Sequence, residues 1–162
     1  MAESKVSVPS RFSNGFAPLD DTNLRLIDIL TAEPELSTAG IARHLGMSAP
    51  AVRDRLTRLR QAGVIRGLRL DVDPAALGLP VTAWVRVRPG PGQIPKIINL
   101  AECIPQISEC HRISGEDCLL LKVHVPAIEA LEPVLDQLLV HGQTTSSFVV
   151  STPIEPRVPR SS

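Results

Sequence analysis

The feature that most limits what this chain can fold into is a pair of short helical stretches separated by only a glycine and two further residues. Ser37 is placed to cap the first stretch, in which Ile41, Ala42 and Leu45 share one side before Gly46 ends it. Met47 and Ser48 follow. Ser48 is a good N-cap, Pro50 is tolerated in a first helical turn, and Val52, Leu56 and Leu59 recur at i, i+4 and i+7 until Gly63 terminates the run. Two short helices joined by a glycine turn constitute a helix-turn-helix. A further helix precedes them: Asp20 or Asp21 can cap it, Leu26, Ile27 and Leu30 carry its periodicity, and Pro34 stops it.

The charge of this region is unlike the rest of the chain. Residues 37–70 hold seven arginines, at 43, 53, 55, 58, 60, 66 and 69, against the single acid Asp54. The segments on either side are acidic, so the chain as a whole is neutral. A short basic segment between acidic flanks is the footprint of a nucleic-acid contact surface. A solvated helix face would carry the same charges, so geometry has to support the reading. If Val52, Leu56 and Leu59 form the buried seam of their helix, then Pro50, Arg53, Asp54, Thr57, Arg58 and Gln61 project away from the core. Double-stranded DNA is the expected partner, with the N-terminal end of this helix toward the bases of the major groove. Arg53 is the candidate base reader, because a guanidinium can pair in bidentate fashion with guanine O6 and N7. Arg55 and Arg58 are candidate phosphate or structural residues; a salt bridge from Arg55 to a first-helix acid such as Asp28 fits as well as phosphate binding. Ser48 caps the helix, and its hydroxyl or the adjacent N–H groups can hold a phosphate at the positive end of the helix dipole.

At 162 residues the chain has room for one ordinary domain or two small ones. Apolar residues make up 43% of it, which argues against disorder, while aromatics are 2% and tyrosine is absent, so the cores must be aliphatic. No apolar run approaches the roughly 20 residues that cross a bilayer, and MAESKVSVPSRF lacks the apolar segment of a signal peptide. A cytoplasmic location without membrane partners is expected. Cys103, Cys110 and Cys118 fit neither a disulfide framework nor a CxxC metal site, and read as buried, reduced thiols. His44, His111, His124 and His141 show no metal-ligand spacing and read as surface or strand residues. No Ser/His/Asp set, carboxylate pair or Gly-rich phosphate loop offers catalysis. Neither a cofactor, a metal nor an enzymatic activity is expected.

Val64–Val72, VIRGLRLDV, alternates apolar and polar and predicts a strand, either one arm of a wing or a tether. Asp73, Pro74, Gly78 and Pro80 then break the chain. Beyond them the order reads strand, helix, strand, strand, helix, strand. VTAWVRVR at 81–88 alternates, Ile94, Ile97, Ile98 and Ala101 mark a helix, and Ile107–Ile113 and Cys118–Val125 form a hairpin through Ser114, Gly115, Glu116 and Asp117. A helix through Ile128, Leu131, Leu135 and Leu138 must bend at Pro133 or begin close to it, and Ser147–Ser151 predicts the last strand. The fold class is therefore α+β: an N-terminal, winged-type helix-turn-helix followed by a ferredoxin-like βαββαβ sandwich. The expected division is a flexible tail at 1–18, a DNA-binding domain with its connecting strand at 19–72, a linker at 73–80, a sensing and oligomerisation domain at 81–153, and a tail at 154–162. An uncovered apolar sheet face in so small a domain predicts at least a homodimer.

Four blocks resemble the Lrp/AsnC family in order and spacing: LDDTNLRLIDIL at 19–30, LSTAGIARHLGMS at 36–48, AVRDRLTRLRQAGVIRG at 51–67 and ISECHRISGED at 107–117. The resemblance implies a sequence-specific transcription factor that dimerises and often assembles further. It also implies amino-acid-type effectors bound between the C-terminal domains. Gly115, Glu116 and Asp117 are then the effector candidates, since glycine lets backbone N–H groups approach a carboxylate and an acid can receive an ammonium; a plain hairpin turn uses the same residues. The chain departs from the family pattern in places. Gly40 sits where an acid would complete a capping box with Ser37, Arg60 replaces a common Glu and Leu68 a common Tyr. The hairpin turn lacks the aromatic residue of many relatives, which affects effector identity. Sirohaem decarboxylases also resemble this family, but such an enzyme would not need a basic recognition helix.

Overall fold

The structure, a computed structural model, describes residues 19–159; the expected tail at 1–18 and the last three residues lie outside that range. The described chain forms two compact units, which meet in sequence between Leu70 and Asp71.

The first unit is built on three helices, α1 (Asp21–Ala32), α2 (Thr38–Leu45) and α3 (Ala49–Gln61). Each starts at a side-chain cap. Asp20 accepts a hydrogen bond from the Asn23 N–H at 2.7 Å, Ser37 from Gly40 at 3.2 Å and Ser48 from Ala51 at 3.4 Å. Gly46, at φ 65°, adopts the left-handed conformation that stops α2 and turns the chain into α3. Leu26, Ile41, Ala42, Val52, Leu56 and Leu59 bury themselves together as an all-aliphatic core. Gly40 has a packing reason to lack a side chain. A Cβ there would lie 2.7 Å from Leu36 Cδ1, so the residue just before the cap lies over the first turn of α2 in place of the missing capping-box acid.

The strand predicted for Val64–Val72 does not form, and the described residues of this unit contain no strand. The physical reason is the lack of a partner: an extended segment becomes a strand only when its N–H and C=O groups meet another backbone. Its alternation still leaves a mark, because Leu68, Leu70 and Val72 are all exposed.

The second unit begins with a 3₁₀ turn at Pro74–Leu77 and continues as β1 (Val81–Pro89), α4 (Ile94–Cys103), β2 (Ile107–Arg112), β3 (Leu119–Val125), a 3₁₀ turn at Ile128–Leu131, α5 (Glu132–Leu139) and β4 (Gly142–Phe148). The sheet is antiparallel with order β2-β3-β1-β4, as a ferredoxin-like sandwich requires. Ala83, Val85 and Val87 of β1 and Leu119, Leu121, Val123 and Val125 of β3 point to one side, where Ile97 and Ala101 of α4 and Val134 and Leu138 of α5 cover them. Pro133 causes no bend; it occupies the first turn of α5, where its missing N–H would have had no intrahelical partner.

Three expectations are corrected here. The last strand covers Gly142–Phe148 instead of Ser147–Ser151. It is an edge strand made largely of Gln, Thr and Ser, so the apolar run Phe148–Val150 that drew the sequence reading was the wrong signal. The cysteines are free, but they are not buried: Cys103 and Cys110 are exposed and Cys118 is half-buried. The uncovered sheet face is not apolar either. Trp84 and Leu120 share it with Arg86, Arg88, Lys122, Glu109 and His111, so its polar groups outnumber its apolar ones.

Candidate nucleic-acid interface and effector site

Burial of Val52, Leu56 and Leu59 fixes the rotation of α3 and so decides which residues leave the surface. Pro50, Arg53, Asp54, Thr57 and Arg58 are exposed, as is Ser48 at the cap. Two of these side chains are committed within the helix: the Thr57 hydroxyl donates to the Arg53 carbonyl at 2.9 Å and Arg58 Nε to the Asp54 carbonyl at 3.4 Å. Arg53 is exposed, and among the described residues its side chain makes no hydrogen bond or ion pair.

Arg55 differs. It is half-buried, and its Nη1 lies 2.6 Å from Asp20 Oδ2 and 2.9 Å from Asn23 Oδ1. The salt-bridge alternative for Arg55 is therefore the one this unit realises, although the acid is Asp20 at the cap of α1 and not Asp28. One carboxylate caps α1 with one oxygen and clamps α3 with the other. The hydrogen bond from Arg55, followed by that from the Asn23 N–H, holds the Asp20 carboxyl below the usual value of 3.8.

In the second unit Gly115, Glu116 and Asp117 form the turn between β2 and β3, with Gly115 at φ 106°. The turn is closed by the Ile113 N–H donating to the Cys118 carbonyl. Both acids are engaged by Arg88, a residue that the sequence reading did not single out: Nε donates to Asp117 Oδ1 at 3.1 Å and Nη2 stands 2.8 Å from Glu116 Oε2. Arg88 ends the alternation of β1, and the pairing of β1 with β3 brings it beside the turn; a sequence shows the alternation but not which strands pair.

Elsewhere on the open sheet face, His124 is buried between two hydroxyls, Thr82 Oγ1 at 3.0 Å from Nδ1 and Ser108 Oγ at 2.9 Å from Nε2. Burial, helped by Lys122 and opposed by Glu109, lowers its pKa from 6.5. His111 pairs with Glu109 at 2.8 Å, and Lys122 lies 5.7 Å from the Trp84 ring centre. A shallow depression of about 340 Å³ lies between α4 and β2, lined by Ile98, Ala101, Glu102, Ile107, Cys110 and Arg112 among others; the turn residues are not part of it. Among the described residues no group of three His, Cys, Asp or Glu could hold a metal ion, and no helix is long and apolar enough to cross a membrane.

A helix-turn-helix with a basic outer face, followed in the chain by a ferredoxin-like α/β unit, defines a two-domain DNA-binding regulator. Known proteins make the assignment firm. Residues 19–66 match the winged helix-turn-helix DNA-binding model and residues 82–159 the Lrp/AsnC ligand binding domain. Two relatives are the HTH-type transcriptional regulators LrpC of Bacillus subtilis, 29% identical over 82% of this chain and 92% of its own, and LrpA of Mycobacterium tuberculosis, 29% identical over 83% and 91%. The solved structure of LrpC superposes with a TM-score of 0.81 at 28% identity, covering 86% of this chain and all of that one. A feast or famine regulatory protein of M. tuberculosis, solved in complex with L-methionine, gives 0.80 at 28% identity over 88% of this chain and 99% of its own. The chain belongs to the Lrp/AsnC family: it is a DNA-binding transcriptional regulator and not an enzyme.

Proposed function

We propose that the protein reads operator DNA through the exposed face of α3 and responds to an amino acid bound at the Gly115–Asp117 turn. The observation that carries the first part is the contrast between two arginines two residues apart. Arg55 is tied to Asp20 and Asn23, whereas Arg53 has no side-chain partner among the described residues and stands on the exposed face with Ser48, Pro50, Asp54, Thr57 and Arg58. Arg53 reads a base, Ser48 and the first N–H groups of α3 hold a phosphate, and Arg58 reaches a phosphate further along. Arg55 acts at one remove, by fixing α3 against α1.

The experiment is binding to fluorescent DNA from upstream of the protein's own gene, with excess random DNA as competitor, at two salt concentrations and beside Arg53→Glu. Tight, competitor-resistant binding that weakens with salt and is lost in the variant is the expected result. Equal, weak binding by both proteins would remove α3 as the reading helix.

The effector reading is supported by the turn's glycine and two acids and by the L-methionine complex of a relative. Self-association is supported by Leu68, Leu70 and Val72, which alternate along a segment without a backbone partner and are exposed. A second copy offering the same segment gives each its missing strand and makes a homodimer. A two-fold protein calls for a near-palindromic operator, its half-sites about one helical turn apart or a multiple of that. A monomer in light scattering would exclude it. The cytoplasm is the compartment where such a regulator meets its DNA.

A further inference from the structure

The cluster of Arg88, Glu116 and Asp117 holds unused hydrogen-bonding capacity of both signs. A guanidinium has five N–H donors and a carboxylate two oxygens. The pairs present engage Arg88 Nε with Asp117 Oδ1 and Nη2 with Glu116 Oε2. Among the described residues these three side chains form no other hydrogen bond or ion pair. Three donors on Arg88 and one oxygen on each acid are left over. They are reachable: the side chains of Arg88 and Glu116 are 49% and 79% exposed, and a Cβ built on Gly115 would meet nothing within 4 Å.

We propose that Arg88 is the carboxylate-binding residue of the effector site, and that the effector is taken as an α-amino acid zwitterion. Its carboxylate forks onto the free edge of the Arg88 guanidinium, and its ammonium meets the unpaired oxygens of Asp117 and Glu116. This inference rests on the reading of the 115–117 turn as the effector site. Three physical arguments carry it. A planar guanidinium matches a carboxylate through two parallel N–H bonds, which an ammonium cannot do. The two acids already hold Arg88 in place, so less side-chain freedom is lost when a ligand arrives. The charges also select: a simple amine meets acids half-neutralised by Arg88, and a simple carboxylic acid meets a guanidinium outweighed by two carboxylates. A zwitterion satisfies both halves without changing the net charge of the cluster.

The test is calorimetric titration of the full chain with the proteinogenic L-amino acids, followed by the carboxamide and the deaminated acid of the strongest binder. The wild-type protein is expected to prefer the amino acid over each derivative by at least about tenfold. In Arg88→Gln the preference for carboxylate over carboxamide falls to about one, and Arg88→Lys, which keeps the charge without the fork, recovers part of it. This ratio would not move if Arg88 merely braced the turn, because a looser turn weakens both ligands alike. An Arg88→Gln protein that keeps the wild-type ratio overturns the proposal, and if Asp117→Asn still weakens binding, the effector site itself stands. If the wild-type protein binds no amino acid, or binds one with Asp117→Asn unaffected, the site reading fails and takes the proposal with it.

Discussion

Helix α3 and the 115–117 turn, the proposed reading helix and sensing turn, both rest on arginine, yet they use it in opposite ways. On α3, among the described residues, Arg53 is exposed and unpaired and Arg58 reaches no acid; only Arg55, on the side of α3 that meets α1, is held by a carboxylate. At the turn, Arg88 is forked between two acids before any ligand arrives. The difference fits the partners proposed for each. DNA is a polyanion whose phosphates supply their own attraction and can recruit mobile side chains. A small zwitterion makes few contacts, so its receptor gains from groups already held in place.

The sharpest way to break this comparison is to damage one unit at a time. Leu26 in the first core and Leu121 in the second are both fully buried, and each changed to Ala should cost about 2–5 kcal/mol in denaturant titration. Leu26→Ala should lose DNA binding and keep amino-acid binding, and Leu121→Ala should do the reverse at the ligand site; an equal loss of both activities in each variant would mean the two sites are not independent. Arg53→Glu comes next. Reversing an unpaired charge at the groove should lower operator affinity about a hundredfold or more in fluorescence anisotropy and flatten its salt dependence, with the melting temperature unchanged.

Ser48→Ala is smaller. Loss of the α3 cap should cost about 1 kcal/mol and weaken DNA binding at all sequences alike, since the cap and phosphate roles fall on the same hydroxyl.

The mildest probe is pH, and it separates the units by window. His124 is buried with a lowered pKa, so the unfolded chain takes up its proton first. The stability that it lends the second unit is complete above 6.5 and is lost as pH falls below that value toward its lowered folded pKa. Asp20 also has a lowered pKa, but its contribution to the first unit is complete above 3.8 and is lost only as pH falls through its depressed folded value. Circular dichroism melts between pH 7 and pH 5 should therefore weaken the second unit alone; a His124→Gln variant that keeps the same slope would remove His124 as the cause.

How far each region could be read in advance follows from the range of the interactions that shape it. The three helices of the first unit were legible because their caps, glycine stops and apolar spacing lie within a few residues of one another. The orientation of α3 was legible for the same reason: once Val52, Leu56 and Leu59 are inside, the rest of the face is fixed. Gly40 looked like a defect in sequence, and only the side chain of Leu36 lying over it explains the choice. For Arg55 the sequence left phosphate binding and a salt bridge to a first-helix acid such as Asp28 equally open; the acid it meets is Asp20, because helical spacing does not say which end of α1 meets α3.

The sequence by itself determined the three helices, the βαββαβ order that follows them, the two aliphatic cores, the exposed face of α3 and the hairpin turn, all of which follow from periodicity, capping and turn chemistry. Tertiary structure decided the rest. Strand pairing set Arg88 beside Glu116 and Asp117, placed His124 between Thr82 and Ser108, and made a strand of the polar run Gly142–Phe148 while leaving Val64–Val72 without a partner. The reason is physical: a helix satisfies its backbone within its own segment, whereas a strand and an ion pair need a group brought from a distant part of the chain.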